Sequence, residues 1–418
     1  MRTNRLRALR HLSGRTARRV LVLGSAMVLL GSGASHTAAW AAPTAPEDDP
    51  FYSTPRDIAD RSNGTVLRNR EIRMFGLPLR VSAWQLNYRT TGSDDRPVAS
   101  IATVLVSATP WSGPGPRPLL SYQVAEDSLG ARCAPSVALH RGPDSAVSST
   151  VIEMPFIVDA LRQGWAVIIP DYQGPGSRFL DGEHAARAVL DGMRAARSFA
   201  PAGLSTDSKI GAWGYSGGAF ATLWAAEQRG RYAPELPIVG VTAGGVPVDI
   251  ATIARDADGG ARAGLTMLIV LALMRNATGP ELAALMNERG RAVMVAESAS
   301  CGTDLLARYL DAKIDDYAKT PGLLTHQAFL AAAQRQELGN QTPDIPLYLY
   351  HSTTDEVVPV AGFEALLRRY CSSKSTVVER HSSADGHNGT AMSEAAGALA
   401  FLTDRFDGTP LTPGCDRA

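Results

Sequence analysis

The run Gly214-Tyr215-Ser216-Gly217-Gly218 offers the sharpest chemistry in this chain of 418 residues. A serine hydroxyl is a weak nucleophile near neutral pH and attacks only where a base stands within hydrogen-bond reach. The pattern G-x-S-x-G also arises by chance, so its surroundings decide its meaning. Lys209 to Gly214 reads as a strand and Gly217 to Arg229 as a helix, which places the motif on a strand-to-helix turn. Such a turn is a nucleophile elbow, with glycines that let backbone approach closely and leave the hydroxyl exposed at the strand's C-terminal end. The bland alternative is a glycine-rich turn with an incidental serine.

In that architecture an acid and then a histidine follow the serine along the chain. Pro346 to Pro359 (PLYLYHSTTDEVVP) reads as a strand running into an acidic loop. Asp355 stands just beyond the strand and is preferred over Glu356; Asp344 precedes the strand and belongs at the other end of the sheet. One helix and one strand later the chain reads His381-Ser382-Ser383-Ala384-Asp385-Gly386-His387-Asn388-Gly389. His387, within this Gly-rich loop, is preferred as the base over His381 at the strand end. His140, His184, His326 and His351 read as surface or packing residues, and Asp171 as a carboxylate bonding loop amides. An oxyanion needs donors aimed at it, and the amide of Gly217 is the expected first. A second belongs on a loop after an early strand, but no HGG motif names it.

The elements that must position these groups are legible as apolar runs. Leu79 to Tyr88, Val98 to Ser107, Leu119 to Val124, Ala166 to Pro170, Ile210 to Gly214, Ile238 to Thr242, Leu347 to His351 and Thr376 to Arg380 read as strands. Helical patterns lie between several of them: Glu153 to Gln163, His184 to Phe199, Gly217 to Arg229, Ala361 to Cys371 and Ser393 to Phe406. This alternation predicts an α/β fold with a doubly wound, mostly parallel sheet. Between Asp249 and Pro346 no strand is evident, which is too long for a simple crossover and implies a helical cap. Within it Gly264 to Met274 (GLTMLIVLALM) is apolar all round, as a buried cap helix or the wall of an apolar pocket. The resulting division is a leader at 1–41, core at 42–248, cap at 249–345 and core again at 346–418.

Residues 1–19 are arginine-rich, Val20 to Leu30 are apolar, and Ala39-Trp40-Ala41 fits a cleavage site, so the start reads as a cleaved export signal. Eleven apolar residues are too few for a comfortable bilayer span, and no integral anchor is expected after cleavage. Arg18-Arg19 leaves twin-arginine export open. The chain's net charge is zero, but the leader holds seven arginines and no acid; without it 34 basic residues face 41 acidic ones, a net of −7. That balance gives no general reason to bind nucleic acid or an anionic membrane. The four cysteines, Cys133, Cys301, Cys371 and Cys415, suggest two disulfides in an exported chain, with three pairings open. Their spacing shows no zinc pattern.

Five spaced motifs carry a resemblance: DPFYSTP at 49–55, SYQVAED at 121–127, GYSGG at 214–218, TDEVVP at 354–359 and FDGT at 406–409. Together, and in unbroken order over nearly the whole mature chain, they resemble the secretory lipases of the Candida antarctica lipase A type. The resemblance implies an α/β-hydrolase fold with a helical cap, a Ser216–Asp355–His387 triad, and the amide of Asp127 as the second oxyanion donor beside Gly217. It implies disulfides Cys133–Cys301 and Cys371–Cys415, and it implies no metal or organic cofactor. The expected activity is hydrolysis of carboxylic, acylglycerol-like esters by a secreted enzyme, with a lipid–water surface as a partner. The C-terminal flap of the yeast member is expected to be absent, and the cap sequence matches poorly, so chemistry transfers better than substrate choice. Alternatives are a non-lipolytic carboxylesterase, an acyltransferase or serine peptidase on the same fold, and a catalytically dead binding protein.

Overall fold

Alternating burial builds the sheet. In the strand Ala166–Pro170 every residue is buried; Ala166 and Ile168 join the core on one face, while Val167 and Ile169 join the core on the other. Strands covered on both faces read as continuous apolar runs, which is why these were legible. The computed structural model describes residues 46–417 apart from 75–76, 78, 142–148, 277–278, 374 and 385. The leader expected at 1–41 lies outside the described residues.

The strands are β1 (Val66–Ile72), β2 (Val81–Thr91), β3 (Pro97–Ser107), β4 (Leu119–Gln123), β5 (Ala166–Pro170), β6 (Ile210–Tyr215), β7 (Ile238–Gly244), β8 (Leu347–Ser352), β9 (Val377–Ser382) and β10 (Cys415–Arg417). They form one sheet in the order β1-β2-β3-β5-β4-β6-β7-β8-β9-β10. Its first three strands and β5 pair antiparallel, and from β5 to β10 every pairing is parallel.

Helices α1 (Pro135–Arg141), α2 (Ser149–Ile152) and α3 (Met154–Arg162) precede β5; α4 (Gly182–Ser198) and α5 (Gly217–Tyr232) flank β6. Between β7 and β8 run α6 (Ile250–Ala257), α7 (Ala263–Leu273), α8 (Gly279–Ala283), α9 (Glu288–Ala296), α10 (Gly302–Arg308) and α11 (Gln327–Gln334). Helices α12 (Val360–Ser372), α13 (Gly386–Ser393) and α14 (Ala395–Asp407) complete the chain. Side chains of α4, α5 and α12 pack on one sheet face, and those of α3 and α14 on the other. Helix α7 is buried along nearly its whole length and is tied to α6 where Thr266 Oγ1 donates to Ala254 O at 2.8 Å. Leu265, Leu268 and Ile269 of the same helix also line a cavity, so both readings of the segment apply at once.

Cys133 pairs with Cys301 and Cys371 with Cys415, closing separations of 168 and 44 residues. The first joins the segment after β4 to α10, and the second ties α12 to β10. Among the described residues no helix is long and apolar enough to cross a membrane.

One local expectation needs correction, and two elements carried no sequence signal. His387 is not in a loop: it stands in the first turn of α13, whose sequence GHNGTAMS has two glycines and little helical propensity. Tertiary contacts hold that turn, with Glu356 accepting from the His387 amide at 2.9 Å. A short element that no apolar run announces forms just before Pro55. Pro50–Tyr52 form a 3-10 turn capped by Asp49, Phe51 is buried, and Asn87 Nδ2 donates to Phe51 O at 2.7 Å. Strand β1 (VLRNREI) went unread because this edge strand is polar and only its last residue, Ile72, is buried.

Candidate active site

Ser216 follows β6 with φ of 52° and ψ of −123°, left-handed backbone that a non-glycine residue adopts only when its surroundings impose it. Its amide donates to Gly244 O at 2.9 Å, and its carbonyl accepts from Phe220 as α5 begins. The turn is tight enough that a Cβ on Gly218 would lie 1.9 Å from Gln123 O. The glycine there is required by space. The hydroxyl therefore projects beyond the parallel strands' carboxyl ends, where ligands bind in open α/β sheets.

Asp355 follows β8, and His387 follows β9 on α13. His387 Nε2 lies 2.9 Å from Ser216 Oγ, and its Nδ1 lies 2.7 Å from Asp355 Oδ2. The other carboxylate oxygen accepts from the amides of Val357 and Val358 at 2.9 and 2.8 Å. Burial pushes Asp355 toward protonation, but the hydrogen bond and charge of His387, with the Val358 amide, outweigh it and hold its pKa below the ordinary value. Residues 171 and 139 positions apart thus meet in one hydrogen-bonded line. His387 itself is fixed at both backbone ends. Glu356 accepts its N–H, and Tyr215 OH donates to its carbonyl at 2.5 Å.

The rival residues have other tasks. Glu356 braces His387 by the backbone; Asp344 pairs with Arg229 at 2.7 Å on the far side of the sheet from the serine turn. Asp171 accepts from the Ser136 amide and hydroxyl at 2.9 and 2.5 Å. His381 packs edge-on to Phe363, His184 is fully buried, and His326 caps α11 by accepting from Ala328 N.

Asp127 lies against the elbow: a Cβ added to Gly217 would fall 1.8 Å from Asp127 Oδ1. Asp127 has φ of 37°, and burial lifts its carboxyl to about 6 although the His387 imidazole draws it down. Its backbone N–H is not free. The Gln173 amide satisfies its surroundings with nitrogen donating to Ser128 O at 2.9 Å and oxygen accepting from Asp127 N at 3.2 Å. Sequence reasoning missed Gln173, Tyr215 and the bracing role of Glu356; Gln173 lies in no motif, and the motifs holding the other two do not reveal their contacts with His387.

A cavity of about 520 Å³ opens onto Ser216, Gly217, Asp127 and His387. One wall is apolar, from Ile250 and Ile253 of α6, Leu265, Leu268 and Ile269 of α7, and Val358. Ile152, Leu306 and Met392 line it while remaining exposed at 54%, 39% and 55%, beside exposed Arg132 and Asn388.

The model of the secretory lipases matches residues 139–414, about two thirds of the chain. The chain belongs to the secretory lipase family. Lipase A of Arthroderma benhamiae is 33% identical over 390 residues, covering 90% of this chain and 82% of that one. A protein named as a probable inactive lipase in Mycobacterium tuberculosis is 36% identical over 386 residues, covering 88% and 84%. The closed state of Candida antarctica lipase A superposes with a TM-score of 0.82 at 29% identity, over 90% of this chain and 89% of that structure. The chain thus has the α/β-hydrolase fold and is a hydrolase of the lipase/esterase type.

Proposed function

We propose that this secretory lipase is a catalytically competent serine ester hydrolase, exported and freed of its leader, acting on lipid-like carboxylic esters. The observation that carries the reading is the pair of contacts at 2.9 and 2.7 Å linking Ser216 Oγ, His387 and Asp355 Oδ2. His387 Nε2 takes the serine proton as Oγ attacks the ester carbonyl, and Asp355 holds the tautomer and offsets the imidazolium charge. The Gly217 amide, joined by that of Asp127, receives the oxyanion. The Asp127 N–H bond to Gln173 is long at 3.2 Å, so a charged oxyanion competes for it with advantage. His387 then protonates the departing alcohol, and water repeats the cycle to release the acid. The segment 249–345 serves as the cap, and the wall from α6 and α7 takes the acyl chain.

A relative named as probably inactive makes competence the point to test. A fluorophosphonate should label the mature protein at Ser216, and Ser216→Ala should abolish labelling and turnover of p-nitrophenyl esters while leaving secretion intact. A wild-type protein that neither labels nor turns over esters of two to eighteen acyl carbons would refute the proposal. Mass analysis of the exported chain tests cleavage after Ala41.

A further inference from the structure

Asp355 does not face His387 alone. His351, near the end of β8, is fully buried, with its ring stacked on Phe363 of α12 at 4.8 Å between centroids and 20° between planes. Its Nε2 lies 2.9 Å from Val358 O and 3.5 Å from Asp355 Oδ2. A carbonyl oxygen only accepts, so Nε2 carries the hydrogen and Nδ1 is bare. That Nδ1 is buried without a hydrogen-bond partner. A buried acceptor left unmet is costly, and a packing residue alone would not need it. The ring gives up one nitrogen so that the other can aim its single N–H at the turn carrying the acid.

That turn closes on itself. Val357 and Val358 amides occupy Asp355 Oδ1, and Oδ2 is left for His387. His351 grips the Val358 carbonyl, the far side of the residue whose N–H holds the carboxylate. We propose that His351 is a positioning residue for the ester hydrolysis, fixing the Asp355–Val358 turn through the Val358 carbonyl so that Asp355 Oδ2 stays within reach of His387. The inference rests on the triad reading above.

Neutrality matters because a cation at this place would compete with His387 for the same carboxylate. The titratable groups facing the ring are Asp355 on its own segment, His381 on β9 and His387 on α13, while α12 offers the apolar ring of Phe363. Burial, with the two other imidazoles, keeps His351 below the usual histidine range despite the Val358 carbonyl and Asp355.

The test compares His351→Phe, which keeps a ring to stack on Phe363 but has no donor, with His351→Gln, which keeps an N–H. Active sites are counted with a fluorophosphonate, and kcat and KM for a soluble p-nitrophenyl ester are followed from pH 4 to 9. Losing the N–H leaves the Val358 carbonyl unmet and loosens the turn, which weakens the hold of Asp355 on protonated His387. The acid limb, which belongs to the coupled pair, therefore moves down. His351→Phe should lower kcat about tenfold with KM within about twofold, and lower the acid limb by roughly half to one pH unit. His351→Gln should restore most of both. Wild-type kcat and acid limb in His351→Phe, or equal damage in His351→Gln, would overturn the proposal. If His351→Phe does not fold, His351→Met supplies the donor-free comparison. A wild-type protein that fails to label overturns the triad reading itself; one that labels beside an indifferent donor-free variant overturns this inference alone.

Discussion

Asp127→Asn removes a carboxyl and leaves its shape and backbone N–H in place, so its effect can be worked from charge alone. Burial lifts Asp127 from 3.8 to about 6 in the folded protein. The folded state therefore keeps the proton to higher pH than the unfolded chain does. Below about 4 both states hold it, and the carboxyl costs nothing. Between about 4 and 6 unfolding releases a proton, and stability falls as pH rises. Above 6 both states are ionised and the loss is complete. A shift of roughly two units corresponds to about 3 kcal/mol. Asparagine has no such term. The stability of Asp127→Asn relative to wild type should therefore climb by up to about 3 kcal/mol between pH 4 and pH 6.5 and then level off. Urea unfolding of the two mature proteins at half-unit intervals measures this, and the difference removes the shared contribution of the other buried acids apart from Glu126 and Glu153, which the Asp127 charge also raises. A difference that stays flat across the range, or narrows as pH rises, would show that Asp127 titrates normally and that the reasoning from burial is wrong.

Other substitutions probe the same chemistry. Gly217→Ala places a methyl within 1.8 Å of Asp127 Oδ1, so the Asp127 carboxyl must swing aside. Disturbing one of the proposed oxyanion donors in this way should cost up to about 10²-fold in kcat, with activity partly recovered in the double variant with Asp127→Ala; unchanged kcat in Gly217→Ala would refute this placement. Asp355→Asn should lower kcat by up to about 10⁴-fold by misplacing the imidazole tautomer. Glu356→Gln keeps an oxygen for the His387 amide and should cost less than about tenfold; the reverse ranking would exchange the two acids' roles.

The fold was legible where burial is two-sided. Strands β4 to β8 are apolar runs because helices cover both faces, and the elbow is legible because its glycines answer to space, as at Gly218. Ser216, Asp355 and His387 could be nominated because chain order and strand ends constrain them. What escaped was held by tertiary contact. Helix α13 has poor propensity and depends on Glu356, β1 is a polar edge, and Pro50–Tyr52 docks through the side chain of Asn87. His351 escaped for a different reason. Its type and place say only that a histidine ends a strand, and its role follows from where Val358 turns back toward it, which sequence spacing does not encode.

The acids around Ser216 are sorted by their access to the imidazole. Asp355, with His387 at 2.7 Å, is held below its ordinary pKa in spite of burial. Asp127 feels His387 only through space and reaches about 6. Glu153 has donors in Tyr122 OH and the Ala125 amide but no cation, and burial carries it to about 8. Glu126 and Asp171 are enclosed beside other carboxyls and are raised as well, by burial first. Hydrogen-bond donors alone do not keep a carboxylate ionised in this interior, since Glu153 has two and is still lifted. A positive partner does not guarantee it either, since Asp191 touches Arg194 at 2.7 Å and burial still raises it. In the proposed cycle the firm negative charge of Asp355 stands on the side of His387 away from Ser216, where it supports the imidazolium, whereas Asp127 beside Gly217 ionises above about 6 and then opposes an oxyanion forming there.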